Sequence, residues 1–457
     1  QTLGSMTVSD TAPHLSVKVG CLPVMALTLF AALILLASCH SCGGSLRFAS
    51  YYGDHMVLQK SPERAVVWGY GPEGAQVYVF LLGVTNQKAS PVTVTEGVWR
   101  VSFDPVEAGG PYNVTAVVEN STVTLTDVLF GDVWLCGGQS NMYFTTAQVG
   151  RARDGIGLVM SGAWFPPNMT PGINAKEFNL CLIRPENFVS DGLRILQAVV
   201  FPDVGNFSAV CWLFGRYMYK TLQYPIGLVE SCWGGTPVEV WSSSRALQQC
   251  GLESAKDGLN VLGPKNNSIL WNSMIHPLLN MTIKGALWYQ GEANTYYQTE
   301  TYNCSFPAMI DDWRMAFHHG SGGQTALDFP FGFVQLSTSE KTAADDNFPE
   351  IRWHQTADIG FVPNPRMKKT FMAVALDLPD ATSPYGTIHP RDKQDVAYRL
   401  TLGARAVAYR EKDVPFQGPF PSKILCAPTH VSITYDQKVS VTQSKSIFEV
   451  RLAAVVG

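Results

Sequence analysis

The sequence predicts an α/β protein: a mostly parallel sheet flanked by helices, preceded by a small β-sandwich and followed by a partial β segment. Three changes of pattern along the 457 residues carry that expectation. Short β-rich runs fill residues 45–127, buried apolar runs alternate with helical stretches over 128–410, and β-like alternation returns in 411–457.

In the first segment the runs Ala65-Val66-Val67-Trp68, Gln76-Val77-Tyr78-Val79-Phe80 and Trp99-Arg100-Val101-Ser102-Phe103 are separated by Gly, Pro and Asn clusters, the pattern of a sandwich. In the second, Val133-Trp134-Leu135, Ile226 to Val229, Gly285 to Tyr289, Phe331 to Leu336 and Phe371 to Leu376 read as buried strands. Such strands lack polar alternation because both faces of a parallel sheet are covered. The last helix is expected over Asp392 to Tyr409, with Val396, Leu400 and Val407 toward the sheet. After Pro415, Val431-Ser432-Ile433-Thr434-Tyr435 alternates again, and a shortened C-terminal β segment is expected.

Hydrophobic residues make up 46% and charged residues 15%, which excludes a disordered chain. Lys plus Arg number 33 against 37 Asp plus Glu, without a basic block, so nucleic acid is not an expected partner. Residues 1–44 read as an upstream segment and a signal peptide: Lys18 precedes the uncharged run Leu22 to Ala37, and small residues follow it. That run falls short of the ~20 residues of a spanning helix by no wide margin, so a signal anchor is the competing reading; with cleavage, the favoured one, no stable membrane span is expected. Asn-x-Ser/Thr sequons begin at Asn113, Asn120, Asn168, Asn206, Asn266, Asn280 and Asn303, where chance would give about two or three. The surplus suggests a glycosylated protein of the secretory pathway, lysosomal or extracellular. Of ten cysteines, Cys21, Cys39 and Cys42 lie in or beside the leader. The other seven, Cys136, Cys181, Cys211, Cys232, Cys250, Cys304 and Cys426, lack metal-ligand spacing and suit disulfides, at least one remaining unpaired.

In open parallel sheets the loops at the carboxyl ends of strands gather into one crevice. After Val133-Trp134-Leu135 comes Cys136-Gly137-Gly138-Gln139-Ser140-Asn141-Met142, a glycine turn that lifts one Ser hydroxyl above the sheet edge, where it serves as nucleophile or as a helix N-cap. It is not the G-x-S-x-G elbow, because Met142 stands where the second Gly belongs. After Ile226 to Val229 comes Glu230-Ser231-Cys232-Trp233-Gly234-Gly235-Thr236-Pro237, whose paired glycines suit an oxyanion hole or an ordinary tight turn. After Tyr289 comes Gln290-Gly291-Glu292-Ala293-Asn294; a Gln or Asn amide beside a nucleophile can donate to an oxyanion, and Glu292 can position that amide. Beyond Phe371 to Leu376 lie Asp377-Leu378-Pro379-Asp380 and Gly386-Thr387-Ile388-His389-Pro390-Arg391-Asp392, which place an imidazole base near several carboxylates. Other histidines, such as His276, His354 and His430, read as structural.

Together these loops resemble the SGNH/GDSL-type hydrolases, and among them the animal esterases that remove O-acetyl groups from sialic acids. Arg47-Phe48-Ala49-Ser50, Met56 to Lys60, Asp127 to Trp134, Gly138 to Met142, Ala209 to Gly215, Trp233 to Pro237, Trp288 to Glu292 and Ile388 to Gln394 carry the likeness across 46–410. The resemblance implies an SGNH-type unit over 128–410 that hydrolyses O-acetyl esters of sialic acids, typically at the 9-position. It implies no cofactor and no metal, with O-acetylated sialic acids and sialoglycans as partners. Ser140 carries over as nucleophile and His389 as base. The Ser140 N–H, Gly234 or Gly235, and the Gln290 amide carry over as oxyanion donors, with Asn294 nearby.

The chain departs from the pattern at three places. Many relatives place Asp two or three residues before the catalytic His, where this chain has Thr387 and Gly386. Asp377 is the first candidate for the acid, Asp380 and Asp392 follow, and a Ser-His dyad supported by a backbone carbonyl is the alternative. Tyr143 to Asn206, with the apolar run Val159 to Pro167, resembles the family poorly, and the family continues with more β structure beyond the point where this chain stops. Rival readings are an acetylxylan or other carbohydrate acetylesterase and a non-catalytic glycan-binding protein.

Overall fold

A computed structural model describes residues 44–150, 178–183, 196–199, 203–252, 264–339 and 347–440. The leader with Cys21, Cys39 and Cys42, the Asn168 sequon, the run Val159 to Pro167 and residues 441–457 lie outside the described residues.

The N-terminal part is built of short strands: β1 (Arg47–Phe48), β2 (Val57–Gln59), β3 (Val66–Tyr70), β4 (Gln76–Gly83), β5 (Gln87–Lys88), β6 (Val92–Thr93), β7 (Val98–Ser102) and β8 (Gly109–Val118). In β4, Val77, Val79 and Leu81 are buried while Gln76 and Tyr78 are exposed, the period of two that a sheet with one wet face requires. Strands β1, β3 and β7 form a separate sheet. The others join a larger sheet through β9 (Ser121–Gly138), an 18-residue strand.

Strand β9 changes character along its length. Its first half alternates between buried and open positions and pairs with β8; from Phe130 onward every residue is buried. The expected boundary at 127/128 therefore falls inside one continuous strand. Asp127, with φ +54°, lies at an irregularity of the β8–β9 register, and antiparallel pairing with β8 resumes at Val128 and Phe130.

The second half of β9 lies at the centre of a sheet with β10 (Phe178–Ile183), β11 (Leu196–Val199), β12 (Ile226–Cys232), β13 (Gly285–Tyr289), β14 (Phe331–Gln335) and β15 (Thr370–Val374), in the order β11-β10-β12-β9-β13-β14-β15. All neighbours are parallel except β10 and β11, so the sheet is mixed, with an antiparallel edge strand. Helices α1 (Ser140–Tyr143), α2 (Ala209–Leu222), α3 (Ser244–Gln249), α4 (Tyr302–Gly320), α5 (Asn347–His354) and α6 (Lys393–Val407) accompany it. As expected, α6 buries Val396 and Leu400, and Asp392 caps it by accepting from the Asp395 N–H at 3.1 Å. Among the described residues no helix is long and apolar enough to cross a membrane.

Two disulfides cross-tie the unit, Cys136–Cys211 from β9 to α2 and Cys250–Cys304 from the end of α3 to α4. Cys426 is an exposed thiol, and the buried Cys232 thiol donates to Glu230 at 3.0 Å. After Pro415, β16 (Pro421–Ala427) and β17 (His430–Tyr435) pair as an antiparallel hairpin.

Register positions the site. Cys232 and Tyr289 both pair with Gly138, so the ends of β12, β9 and β13 stand in one row. The loops that follow must open at the same edge of the sheet.

Candidate active site

The turn after β9 requires glycine. Gly138 has φ +143°, and a Cβ there would sit 2.2 Å from the Tyr289 carbonyl oxygen, so any side chain would drive β9 and β13 apart. Gln139 is extended and Ser140 opens α1. This geometry presents the Ser140 hydroxyl, half-buried, toward the loop after β15, where His389 Nε2 lies 2.9 Å from Ser140 Oγ.

The other imidazole nitrogen settles the tautomer. Nδ1 of His389 is 2.7 Å from the Tyr385 carbonyl oxygen, which can only accept, so Nδ1 carries the proton and Nε2 offers a lone pair. The loop is fixed by the Ser383 hydroxyl, which donates to the His389 carbonyl at 2.7 Å, and by the His389 N–H on the Gly386 carbonyl. Burial lowers the His389 pKa; the Tyr385 hydrogen bond opposes this and the positive charge of Lys393 adds to it. The neutral base is thus favoured.

None of the expected carboxylates touches this imidazole. Asp377 is instead paired with Arg399 through both oxygens, at 2.6 and 2.7 Å, and that ion pair holds its carboxyl below the usual range. Asp380 is gripped by Arg391 at 2.5 and 2.9 Å, which brings its pKa down to about 2. Asp392 caps α6. The expectation that Asp377 completes a triad is corrected: the single Nδ1 proton is already donated to the Tyr385 carbonyl, and the arrangement is a Ser-His pair backed by a carbonyl.

The assignment of the amides also changes. Gln290 is fully buried and donates both N–H bonds inward, to the Thr236 carbonyl at 3.1 Å and Asn294 Oδ1 at 2.7 Å, while its oxygen accepts from Tyr302 at 2.9 Å. Asn294, also fully buried, donates to Glu239 and to the Tyr297 carbonyl and accepts from the Val238 N–H. Neither has an N–H left for an oxyanion; they brace the loops after β12 and β13 against each other. By contrast, the N–H groups of Ser140, Gly234 and Gly235 make no hydrogen bond within the described residues. Gly234 lies directly beside Ser140, its notional Cβ 3.4 Å from that of the serine. The chemistry available is nucleophilic attack by a hydroxyl, general base catalysis by a neutral imidazole, and anion stabilisation by backbone N–H groups.

Two residues without a role in the sequence reading belong here. Asn141, 2% exposed, donates from Nδ2 to Glu292 at 2.5 Å and to the Ile388 carbonyl at 2.9 Å. Its Oδ1 accepts at 2.6 Å from Lys393, which is buried. Burial raises the Glu292 pKa and lowers that of Lys393 to about 7, the attraction of Glu292 for the ammonium acting the other way. Glu292 thus holds Asn141 rather than the Gln290 amide. One signal was present: Lys393 opens a helix, where the dipole disfavours a cation. Among the described residues no group of three or more His, Cys, Asp or Glu is placed to hold a metal ion.

A family model described as carbohydrate esterase, sialic acid-specific acetylesterase, matches residues 130–380. The chain is 48% identical to the human sialate O-acetylesterase over 451 residues, covering 94% of this chain and 84% of that protein. It is 46% identical to the mouse sialate O-acetylesterase over 475 residues, covering 94% and 85%. Among solved structures, a carbohydrate acetylesterase from Xanthomonas citri superposes with a TM-score of 0.65 at 27% identity, over 85% of this chain and 81% of that one.

Proposed function

This chain belongs to the sialic acid-specific acetylesterase family of carbohydrate esterases, and from that premise we propose that it hydrolyses O-acetyl esters of sialic acids through Ser140 and His389. The observation that carries the mechanism is the 2.9 Å contact between Ser140 Oγ and an imidazole whose Nδ1 is committed to a carbonyl. Ser140 attacks the acetyl carbonyl while Nε2 of His389 takes its proton. The negative charge that develops falls beside the N–H groups of Ser140, Gly234 and Gly235. His389 returns the proton to the departing sugar oxygen, leaving an acetyl-enzyme. Water, deprotonated by the same nitrogen, then releases acetate and restores Ser140.

We assign the 9-O-acetyl group as the preferred ester, with free sialic acids and sialoglycans as substrates. Acetate release from 9-O-acetylated sialic acid by the purified chain, beside Ser140→Ala and His389→Ala, tests this. Both substitutions are expected to abolish release, and activity surviving either removes that residue from its role. A second reading is an acetylxylan or other carbohydrate acetylesterase; the likeness to a carbohydrate acetylesterase from Xanthomonas citri supports it only as far as an acetylated carbohydrate. Faster turnover of acetylated xylan than of acetylated sialic acid would select it.

We further read residues 45–127 as a β-sandwich beside an SGNH-type unit, a reading supported by the alternating burial of β4 and β8. We place the protein in the secretory pathway, lysosomal or extracellular, after cleavage of its leader. The two disulfides and the exposed sequon residues Asn113, Asn120, Asn206 and Asn266 support this. A glycosidase-induced mobility shift of the cell-expressed protein is expected, and its absence would count against the secretory route.

A further inference from the structure

A lysine at the start of a helix opposes the helix dipole, and a lysine cut off from water forfeits the hydration of its charge. Lys393 does both: it opens α6 and is 0% exposed. Its amine donates to Asn141 Oδ1 at 2.6 Å and lies over the rings of Phe144 and Tyr289, 4.9 and 5.2 Å from their centroids. At the other end of the same carboxamide, Nδ2 donates to the Glu292 carboxylate and to the Ile388 carbonyl. An amine donates and a carboxylate accepts, so Lys393 and Glu292 together dictate which way the Asn141 amide faces.

The contacts of that amide are what matter. Asn141 follows Ser140 in the chain, and Ile388 precedes His389. One carboxamide therefore links the residue next to the hydroxyl with the residue next to the imidazole, across 247 positions of sequence. We propose that Asn141, clamped between Lys393 and Glu292, is a positioning residue that sets the approach of His389 to Ser140; this rests on the reading of those two as base and nucleophile. A triad carboxylate orients its histidine from Nδ1; here the corresponding constraint acts through the backbone of the His389 loop.

Electrostatics provide a readout that a purely structural role lacks. The ionisable groups facing Lys393 are Glu292 from the loop after β13, Tyr289 from the end of β13, Asp380 and His389 from the loop after β15, and Asp392 at the start of α6. Its positive charge disfavours the imidazolium of His389. Replacing Lys393 by an uncharged residue should raise the pH at which His389 protonates.

The test measures kcat and KM for 9-O-acetylated sialic acid across pH, together with thermal unfolding, on the full chain and its variants. Asn141→Ala and Asn141→Asp are expected to lose about 10²-fold in kcat, the scale of an ångström-level misplacement, with KM little changed. Asp fails as Ala does because an ionised carboxylate cannot donate to the Ile388 carbonyl. Glu292→Gln, which still accepts from Asn141, should recover at least about tenfold of what Glu292→Ala loses, within that same ~10² range. Lys393→Met should move the acid limb of kcat/KM to higher pH. Wild-type kcat in a folded Asn141→Ala or Asn141→Asp protein, or an unmoved acid limb in Lys393→Met, overturns the proposal. If Asn141→Ala does not fold, Asn141→Asp and Lys393→Met decide it. Activity that survives Ser140→Ala or His389→Ala overturns the underlying reading instead.

Discussion

Asp377→Asn separates a carbonyl-backed pair from a triad more sharply than any other single change. Were Asp377 the third member of a triad, its amide would misorient the imidazole and cost ~10⁴ in kcat, about 5.5 kcal/mol of barrier at 1.36 kcal/mol per tenfold. The structure gives a different magnitude. Both oxygens of Asp377 are held by Arg399, at 2.6 and 2.7 Å, on a side chain that is 62% exposed. An exposed ion pair of this kind contributes at most about 1 kcal/mol to stability, less in salt. Nothing of it reaches Nδ1 of His389, which donates its one proton to the Tyr385 carbonyl oxygen at 2.7 Å. Acetate release should therefore stay within about threefold of wild type, because the remaining effect belongs to a surface pair. The assay is steady-state acetate release from 9-O-acetylated sialic acid, with His389→Ala as the null and thermal unfolding as a check on folding. A loss of ~10³ or more at unchanged unfolding temperature would refute the assignment and return Asp377 to the mechanism.

Three further outcomes follow from the same geometry. Because only neutral His389 can take the serine proton and burial disfavours its charged form, the acid limb of kcat/KM should have its midpoint below the ordinary imidazole value of about 6.5; a midpoint above it contradicts the desolvated base. Gln290→Ala should destabilise the fold by at least about 2 kcal/mol, because it strips buried partners from Thr236, Asn294 and Tyr302. Unchanged unfolding with a fall in kcat would restore Gln290 as a direct oxyanion donor. Replacing both Cys136 and Cys211 by Ser opens a loop closed over a sequence separation of 75, for which chain entropy predicts about 4–5 kcal/mol and typical measurements give about 2–4; a loss below about 1 kcal/mol would mean that the unfolded chain is already constrained there.

The parallel sheet was legible because its strands are short, apolar on both faces and followed by loop residues. Val133 to Leu135, Ile226 to Val229 and Gly285 to Tyr289 all occur as strands within the expected spans. What composition could not reveal was continuity. The change at Phe130 from alternating to continuously buried residues is real, yet it is a change of neighbours along one 18-residue strand rather than a break in it. Local sequence reports which faces of a strand are covered, and two successive environments along one strand imitate two elements.

The site divides along a similar line. The meeting of Ser140 with His389 was legible because each follows a buried strand, and parallel strands deliver their C-terminal loops to one edge. The direction of an amide is set by partners distant in sequence: Gln290 turns inward because Thr236 and Tyr302 are there to meet it. Asp377 was misread for the complementary reason. It lies close to the loop in sequence, but Arg399 of α6 lies across from it, and a guanidinium within reach takes a carboxylate bidentately. The missing Asp before His389 thus has a structural counterpart. A carbonyl at Nδ1 fixes the tautomer but cannot offset the imidazolium as a carboxylate does. The buried carboxylate of Glu292 accepts from Asn141, not from His389, and Lys393 donates to the same carboxamide. In the proposed mechanism, charge compensation for the transition state then comes chiefly from the oxyanion side, from the N–H groups of Ser140 and Gly234. An ester with an alkoxide leaving group suits such a site better than an amide, because the alcohol needs less help from a strongly polarised imidazolium to depart.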